Sequence, residues 1–406
     1  MRGHAARALV GLGILPAAMF GAGCGGERGS SGEQGTLKIG VLAPVTGFMA
    51  GHGQGIRDGA RLAADEINRQ GGIDGRKVEL VVVDGKSDPA TNTEKAKELV
   101  GRDHVNVLIG TGSSAETLAV VPIATQNKIP FVYALDGEVK TCAPGRGDAV
   151  NPYVFASGPT PEMLLGSFLP DMLTRFGKRV YFVGSDYVFP RSLNAVATAV
   201  VRKNGGQVLG DNYLPTETTD YAPEIRKVLA AKPDVLFLTL PGSAGITFVK
   251  QARQFGVFSK MTVTGSATFD TEAYSAIGKL STGVYVVNRY SEELGGDRNE
   301  RFVEAYRKAY PSFQYPVGPT AAAGSYGVVY ALKAAVEKAK SVDGDAVAKA
   351  LSGLSLDLPQ GRVTINPKNH VFDQTVYEMR IGGGNYQVVK DLGMQEHPGF
   401  EGCSVK

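Results

Sequence analysis

The order of predicted strands and helices constrains the fold of this chain more than any other feature. Short apolar runs each end in a polar or glycine-rich turn, and a segment with helical periodicity follows. These runs lie at 37–42, 78–83, 105–109, 179–183, 235–240 and 261–264. Repeated alternation of strand and helix favours parallel sheets. Because the alternation starts again after residue 161, we predict an α/β protein with two doubly wound parallel-sheet lobes.

Three interruptions of this pattern predict crossovers between the lobes. The first is the breaker SGPTP at 157–161, and the second lies near Asn288, Arg289 and Tyr290. The third precedes hairpin strands near 362–365, 375–381 and 386–389. The predicted first lobe is 36–157 plus 290–355, and the predicted second lobe is 158–289 plus 356–406.

The amino terminus reads as a targeting segment. Arg2 and Arg7 precede a mostly apolar run from 8 to 20, which suits a signal peptide at 1–23 and is short for a membrane span. Gly21-Ala22-Gly23-Cys24 resembles a lipoprotein processing site, although Gly21 stands where Leu is usual. We expect lipidation at Cys24 and a flexible tether at 24–35, with an ordinary signal peptide as the alternative.

Charge and cysteine content exclude some functions and leave others open. The net charge is +3, and it falls to +1 without Arg2 and Arg7, while the basic residues are scattered among acids. Nucleic-acid binding is therefore not expected. Cys142 and Cys403 either pair in a disulfide or are two free buried thiols. No cysteines or histidines have metal-ligand spacing, so no metal and no cofactor is predicted.

One stretch, 105–137, carries the first candidate binding residues. The turn Gly110-Thr111-Gly112-Ser113-Ser114 follows a strand and opens a helix, and Asp136-Gly137 end the next strand. Ligands bind at the carboxyl ends of parallel strands, and a helix start offers N–H groups to a carboxylate or carbonyl. The alternative is a capped helix without a ligand.

Several motifs together resemble a known family along nearly the whole mature chain. They are LKIGVLAPVTG, ADEINRQGGIDGRKVEL, VLIGTGSSAETLAV, NPYVFASGPTPEM, VGSDYVFPRS and GRVTINPKNH. In order and spacing they resemble type I periplasmic solute-binding proteins of ABC importers, in the leucine/isoleucine/valine-binding and amide/urea-binding group. The resemblance implies two lobes joined by a three-strand hinge.

The resemblance also implies ligand contacts. Ser113 and Ser114 match the turn that holds the ligand's carboxylate or amide, and Tyr187 matches an aromatic that covers it from the second lobe. The remaining matched positions are Phe48, Leu135, Asp136, Gly137, Gly242, Ser243 and Ala267.

Two departures from the amino-acid-binding pattern bear on the ligand. Ala267 stands where an acid often balances the α-ammonium, and Gly242 and Ser243 stand where an aromatic is frequent. Either Asp136 or Asp270 replaces the acid, or the ligand lacks an ammonium group, as in amides, urea or carboxylic acids. The segment SDYVFPR resembles the amide/urea branch more closely.

These observations predict an exported, lipid-anchored and monomeric binding protein, periplasmic or at the cell surface. It would deliver a small amino acid, amide or carboxylate to ABC importer membrane subunits by cleft closure. The alternative is a lipoprotein that senses the ligand and signals to a membrane receptor. An enzyme is not expected, because Leu80 replaces the glycine that a phosphate loop ending at Gly85-Lys86-Ser87 needs, and no Gly-x-Ser-x-Gly elbow exists.

Overall fold

The computed structural model describes residues 35–137, 150–311 and 320–398. The predicted signal peptide, nearly all of the tether and the cysteines Cys24, Cys142 and Cys403 lie outside these ranges. No helix of the described residues is long and apolar enough to cross a membrane.

The first lobe is built on a five-stranded parallel sheet of order β2-β1-β3-β4-β5. Its strands are Leu37–Leu42 (β1), Val78–Val83 (β2), Val107–Gly110 (β3), Phe131–Tyr133 (β4) and Val154–Ala156 (β5). Its connecting helices are Ala50–Arg69 (α1), Pro89–Gly101 (α2) and Ser114–Gln126 (α3). Strands β1, β3 and β4 are almost completely buried, as central parallel strands with helices on both faces must be, and the edge strand β5 is buried as well.

The second lobe repeats the layout on a larger sheet. Its helices are Pro161–Phe176 (α4), Val188–Lys203 (α5), Ala222–Ala231 (α6), Ser243–Gln254 (α7) and the short Tyr274–Ile277 (α8). Its parallel strands are Arg179–Ser185 (β6), Gln207–Leu214 (β7), Val235–Thr239 (β8), Thr262–Gly265 (β9) and Tyr285–Asn288 (β10). The two α/β lobes confirm the predicted fold class.

The chain then returns to the first lobe. Helices Asp297–Ala309 (α9), Thr320–Ala339 (α10) and Gly344–Leu351 (α11) follow β10. Helix α10 packs closely along α1, where a Cβ added to Gly59 would lie 2.1 Å from the Ala322 carbonyl oxygen. A glycine at this point allows the two helix backbones to approach each other.

The last strands complete the hinge and contact both lobes. They are Ser355–Leu358 (β11), Gly361–Ile365 (β12), Phe372–Gly382 (β13) and Asn385–Gln395 (β14). Strand β13 pairs antiparallel with β10 and with β12, so β11 and β12 extend the second sheet by hydrogen bonding. Their apolar side chains nevertheless pack into the first-lobe core. At the predicted boundary, residue 356, hydrogen bonding therefore assigns the chain to the second lobe, whereas side-chain packing joins it to the first.

Strand β13 itself forms the third crossover. Its first residue, Phe372, belongs to the core of the first lobe, whereas Met379 and Ile381 belong to that of the second. The other crossovers follow β5 and β10. The side chain of Gln374 in β13 donates to the carbonyl oxygen of Ser157 after β5 at 2.8 Å, so these connections lie side by side.

Candidate functional site

A cavity lies between the two lobes, at the carboxyl ends of the strands. It holds about 420 Å³ of space between atoms, counting the part that opens to solvent. Both lobes line it. The lining residues are Met49, His52, Gly112, Ser113, Ser114, Tyr133, Leu135, Asp136, Tyr187, Phe189, Pro241, Ala267, Asp270, Glu272, Thr320 and Ala321.

The turn between β3 and α3 forms one wall, and a capping box shapes it. The Ser113 hydroxyl donates to Glu116 Oε1 at 2.8 Å, and the Glu116 N–H donates to the Ser113 hydroxyl oxygen at 3.4 Å. Asn92 donates to the other oxygen of Glu116 at 2.9 Å. Burial raises the pKa of Glu116 to about 7, against the lowering effect of these hydrogen bonds. The Ser113 side chain therefore serves the helix cap, and the wall faces the cavity with small groups at a helix start.

The end of β4 forms the floor. The Tyr133 hydroxyl donates to the Asp136 carbonyl oxygen at 3.1 Å and also interacts with Ser114. Gly137 lies behind this pair, because a Cβ there would be 2.5 Å from the Tyr133 ring and 2.8 Å from the Ser114 hydroxyl oxygen. The end of β4 and the start of α3 are therefore held together beside the cavity.

Asp136 is held by a buried arginine from the second crossover. Arg289 is 1 % exposed, and its Nε lies 3.3 Å from Asp136 Oδ1. Burial raises the pKa of Asp136 to about 6, while the Arg289 charge lowers it and the carboxylates of Asp270 and Glu272 raise it. The carboxylate is therefore mostly ionised at neutral pH.

The opposite wall brings a histidine of the first lobe against two acids of the second. His52 Nε2 lies 3.0 Å from Asp270 Oδ2 and 3.9 Å from Glu272 Oε2. Burial alone would lower the pKa of His52, but Glu272 and Asp270 outweigh it and raise that pKa to about 9. The imidazole is therefore cationic at neutral pH.

The lobes also touch through polar backbone contacts. Glu272 Oε1 accepts from the Ala321 N–H at 2.8 Å, and the Thr271 hydroxyl accepts from the Thr320 N–H at 2.7 Å. Two second-lobe residues thus cap the first turn of α10, a first-lobe helix. The described arrangement is a closed one.

A second contact closes the cavity on the apolar side. The Phe48 and Tyr187 rings meet edge to face with centroids 5.9 Å apart, and the Ser243 N–H donates to the Phe48 carbonyl oxygen at 3.2 Å. Gly242 has φ +63°, and a Cβ there would lie 2.0 Å from that same oxygen. The closed contact requires glycine at this position.

The predicted site residues divide into two groups. Ser113, Ser114, Leu135, Asp136, Tyr187 and Ala267 line the cavity. Phe48, Gly137, Gly242 and Ser243 are not among the lining residues and instead support or close it. Asp270, named as a replacement acid, also lines it.

Sequence reasoning missed His52, Glu272, Tyr133 and Phe189. No spacing in the sequence marks His52, because folding brings it to an acid 218 residues away. Tyr133 and Phe189 each lie close in sequence to a predicted binding turn. That closeness is the signal by which the sequence could have identified them.

The two lobes enclose a cavity lined by charged and apolar side chains, and adjacent crossover strands join them. This is the architecture of a hinged ligand-binding clamp. The model of the family described as periplasmic binding protein matches residues 36–385. The chain therefore belongs to the periplasmic binding protein family, a family of solute-binding proteins rather than of enzymes.

Relatives and solved structures agree with this assignment. The chain is 26% identical over 347 residues to Leu/Ile/Val-binding protein homolog 6 of Brucella melitensis, covering 84% of this chain and 86% of the relative. It is 25% identical over 363 residues to Leu/Ile/Val-binding protein BraC3 of Rhizobium johnstonii, covering 85% and 92%.

Among solved structures, the chain is similar to a solute-binding protein of an ABC transporter from Rhodopseudomonas palustris BisB5 in complex with 3,4-dihydroxybenzoic acid. That match has a TM-score of 0.80 and 26% identity, and it covers 89% of this chain and 99% of the other. The leucine-binding protein LivK of Thermotoga maritima matches in fold with a TM-score of 0.77 at 21% identity, covering 89% and 99%.

The capping box predicts a pH-dependent stability. The folded-state pKa of Glu116 lies near 7, above its usual value of 4.5, so folding favours the protonated form. That contribution is present at low pH and is lost as the pH rises from about 4.5 to about 7, by up to about 3 kcal/mol. Chemical denaturation at pH 5 and pH 8 should show a loss of stability in both proteins, because His52 also loses its proton-linked stabilisation as the pH rises, but the loss should be smaller in Glu116→Gln than in the wild type.

Glu79→Gln is the matched control, because that glutamate is exposed on β2. It should behave like the wild type. Equal pH dependence in the wild type and Glu116→Gln would contradict the assignment.

Proposed function

We propose that the protein captures an α-amino acid with an apolar side group between its lobes and presents it to the membrane subunits of an ABC importer. The observation that carries this proposal is the charge of the cavity. Among the described residues, the carboxylates of Asp136, Asp270 and Glu272 face the cations of His52 and Arg289. One negative charge is left in excess.

A buried excess charge is unfavourable unless a partner balances it. The ammonium group of an amino acid supplies that partner, whereas a carboxylate without an ammonium would add a second negative charge. The sequence left open whether an acid replaces the one missing at Ala267. Asp136 and Asp270 both line the cavity, which supports the replacement.

The first-lobe wall suits the carboxylate of the same ligand. The amino terminus of α3 starts at Ser114, and the first N–H groups of a helix have no partner within the helix. The positive end of the helix dipole adds to their attraction for an anion. A zwitterion can therefore place its carboxylate at the start of α3 and its ammonium beside the acids.

Apolar side chains line the remaining space and favour an apolar side group. Met49 and Leu135 come from the first lobe, and Tyr187, Phe189 and Pro241 come from the second. The Brucella and Rhizobium relatives are named as Leu/Ile/Val-binding proteins, which agrees with a branched or similar side group.

An aromatic carboxylate is the second candidate. The Rhodopseudomonas neighbour at 26% identity holds 3,4-dihydroxybenzoic acid, and this cavity also has aromatic lining. A neutral amide or urea would leave one negative charge unbalanced, which is less unfavourable than a second carboxylate, but none of the relatives and structures named above is described as binding one, so it is the third candidate.

Delivery to an importer requires a closed form that the solute stabilises. The closed form brings the acids of the second lobe against His52 and α10, and solute contacts with both lobes would favour it. We further propose export and attachment through lipidated Cys24, which mass spectrometry of the membrane fraction would test by the mass of its amino-terminal peptide.

A specificity shift tests the role of the cavity charge. Wild-type protein should gain thermal stability with branched-chain amino acids and little with benzoates, since a ligand at a hundredfold excess over its Kd stabilises by about 2.7 kcal/mol. Asp136→Asn removes one negative charge, so the variant should respond less to amino acids and more to benzoates. Each shift is the difference between the melting temperatures of the same protein with and without ligand, measured by differential scanning fluorimetry. The melting temperature without ligand should be lower in the variant, because Arg289 loses its partner.

Asp186→Asn is the control, since Asp186 is an exposed acid that pairs with Arg191. It should keep the wild-type ligand profile. A wild type that responds to benzoates and not to amino acids would reverse the proposal in favour of the second candidate.

Closure is tested at Gly242. Gly242→Ala places a methyl group against the Phe48 carbonyl oxygen only in the closed form. Overpacking costs about 1–3 kcal/mol, so the affinity for the solute should fall about tenfold or more by calorimetry. Small-angle scattering should show contraction on solute addition in the wild type and a reduced contraction in the variant.

Gly256→Ala is the matched control, because Gly256 also has a positive φ of 69° but a Cβ there would meet only the Ser259 hydroxyl, at 3.8 Å. Its ligand affinity should be that of the wild type. Full contraction and affinity in Gly242→Ala would rule out the Phe48 contact as part of closure.

A further inference from the structure

His52, Asp270 and Glu272 form a compact group of metal-ligating atoms that spans the two lobes. His52 lies on α1 of the first lobe, whereas Asp270 and Glu272 follow β9 of the second. One ligating atom from each residue lies within 4.8 Å of the others. The side chains of His52 and Glu272 are only 6 % and 4 % exposed.

The spacing of these atoms suits one ion. A transition metal binds such atoms at about 2.0–2.2 Å, so neighbouring ligand atoms lie about 3–3.5 Å apart. His52 Nε2 and Asp270 Oδ2 already have a separation of 3.0 Å. Glu272 Oε2, at 3.9 Å from the same nitrogen, needs only a small approach.

The donor set also selects the class of ion. A neutral imidazole and two carboxylates carry two negative charges, which match a divalent cation. Imidazole suits zinc, iron and nickel, and carboxylates suit manganese as well. The remaining coordination positions would face the cavity, where water or a ligand atom can occupy them.

Neighbouring groups hold the two carboxylates in place. The Ala321 N–H donates to Glu272 Oε1 at 2.8 Å, and the Thr271 hydroxyl donates to Glu272 Oε2 at 3.1 Å. The Tyr386 hydroxyl donates to the Asp270 carbonyl oxygen at 3.1 Å, which fixes the backbone there. Such outer contacts orient ligands and raise metal affinity.

We infer that His52, Asp270 and Glu272 bind a divalent cation of the zinc or manganese class, which bridges the two lobes and stabilises the closed form. The ion displaces the proton that His52 otherwise shares with the two acids. Because its ligands come from both lobes, the complete site exists only when the cleft is closed.

Because the ion bridges the two lobes, its binding is thermodynamically coupled to the binding of the solute. A cation that binds only the closed form raises the apparent affinity of any solute that also favours closure, and the solute raises the affinity for the metal by the same factor. Coupling through closure applies to every solute class, but the bound ion also neutralises the excess negative charge of the cavity. The selection of an ammonium group that the proposed function describes is therefore a property of the metal-free protein.

The test uses the mature protein after treatment with a chelator and its removal. Calorimetric titration with Zn²⁺ should give one site per chain in the wild type. Loss of even an outer-shell partner weakens metal sites about tenfold or more, so His52→Gln and Glu272→Gln should each lose at least that factor. Co²⁺ in place of Zn²⁺ should give visible absorption bands of an inner-sphere complex in the wild type, and these bands should be missing from His52→Gln.

His104→Gln is the control, because His104 is an exposed histidine away from the cluster. It should bind Zn²⁺ as the wild type does. Zn²⁺ alone should contract the wild type in small-angle scattering and leave His52→Gln unchanged.

Two results would overturn the inference: equal Zn²⁺ affinity in the wild type and His52→Gln, or no stoichiometric binding by the wild type. In either case the three residues are an ion-pair cluster between the lobes. Solute binding by chelator-treated wild type is measured alongside, and it reports on the proposed function independently of the metal.

Discussion

The fully buried guanidinium of Arg289 links the hinge to the cavity. Its Nη1 donates to the Ser157 carbonyl oxygen at 2.7 Å and its Nη2 to the Ala134 carbonyl oxygen at 2.8 Å. Its Nε faces the Asp136 carboxylate. Removing one partner of a buried ion pair typically costs about 3–5 kcal/mol, so neither residue is free to change alone. The Arg289 side chain therefore connects two crossovers to the end of β4 and to a charged group of the cavity.

The contacts between the lobes are mostly polar and small in number compared with the cores within each lobe. Examples are the pairs His52–Asp270, Ala321–Glu272 and Ser243–Phe48, whose polar groups water can solvate when the lobes separate. Polar contacts of this kind give a modest net free energy, near 1 kcal/mol each for neutral hydrogen bonds. The closed form thus depends on what fills the cavity, which is the property that a population shift by a solute requires.

The local pattern of the sequence was sufficient to predict the fold and part of the site. Strand-to-helix turns at the carboxyl ends of parallel strands converge by geometry, so Ser114, Leu135 and Asp136 could be predicted from their position in the pattern. The spacing of Ser113 and Glu116 is itself a capping box, and it explains why the Ser113 hydroxyl is engaged with its own helix. The contact of His52 with Asp270 could not be predicted, because it forms only when the two lobes meet. The same holds for β11 and β12, whose hydrogen bonds and side chains belong to different lobes.

The central claim is that the excess negative charge of the cavity selects a ligand with an ammonium group. Isothermal titration calorimetry with leucine and with 4-methylpentanoate, which lacks only the amino group, tests it most directly. The account predicts binding of leucine and an affinity for 4-methylpentanoate that is weaker by about a hundredfold or more, since an unpaired buried charge costs several kcal/mol. Equal or tighter binding of 4-methylpentanoate would contradict it.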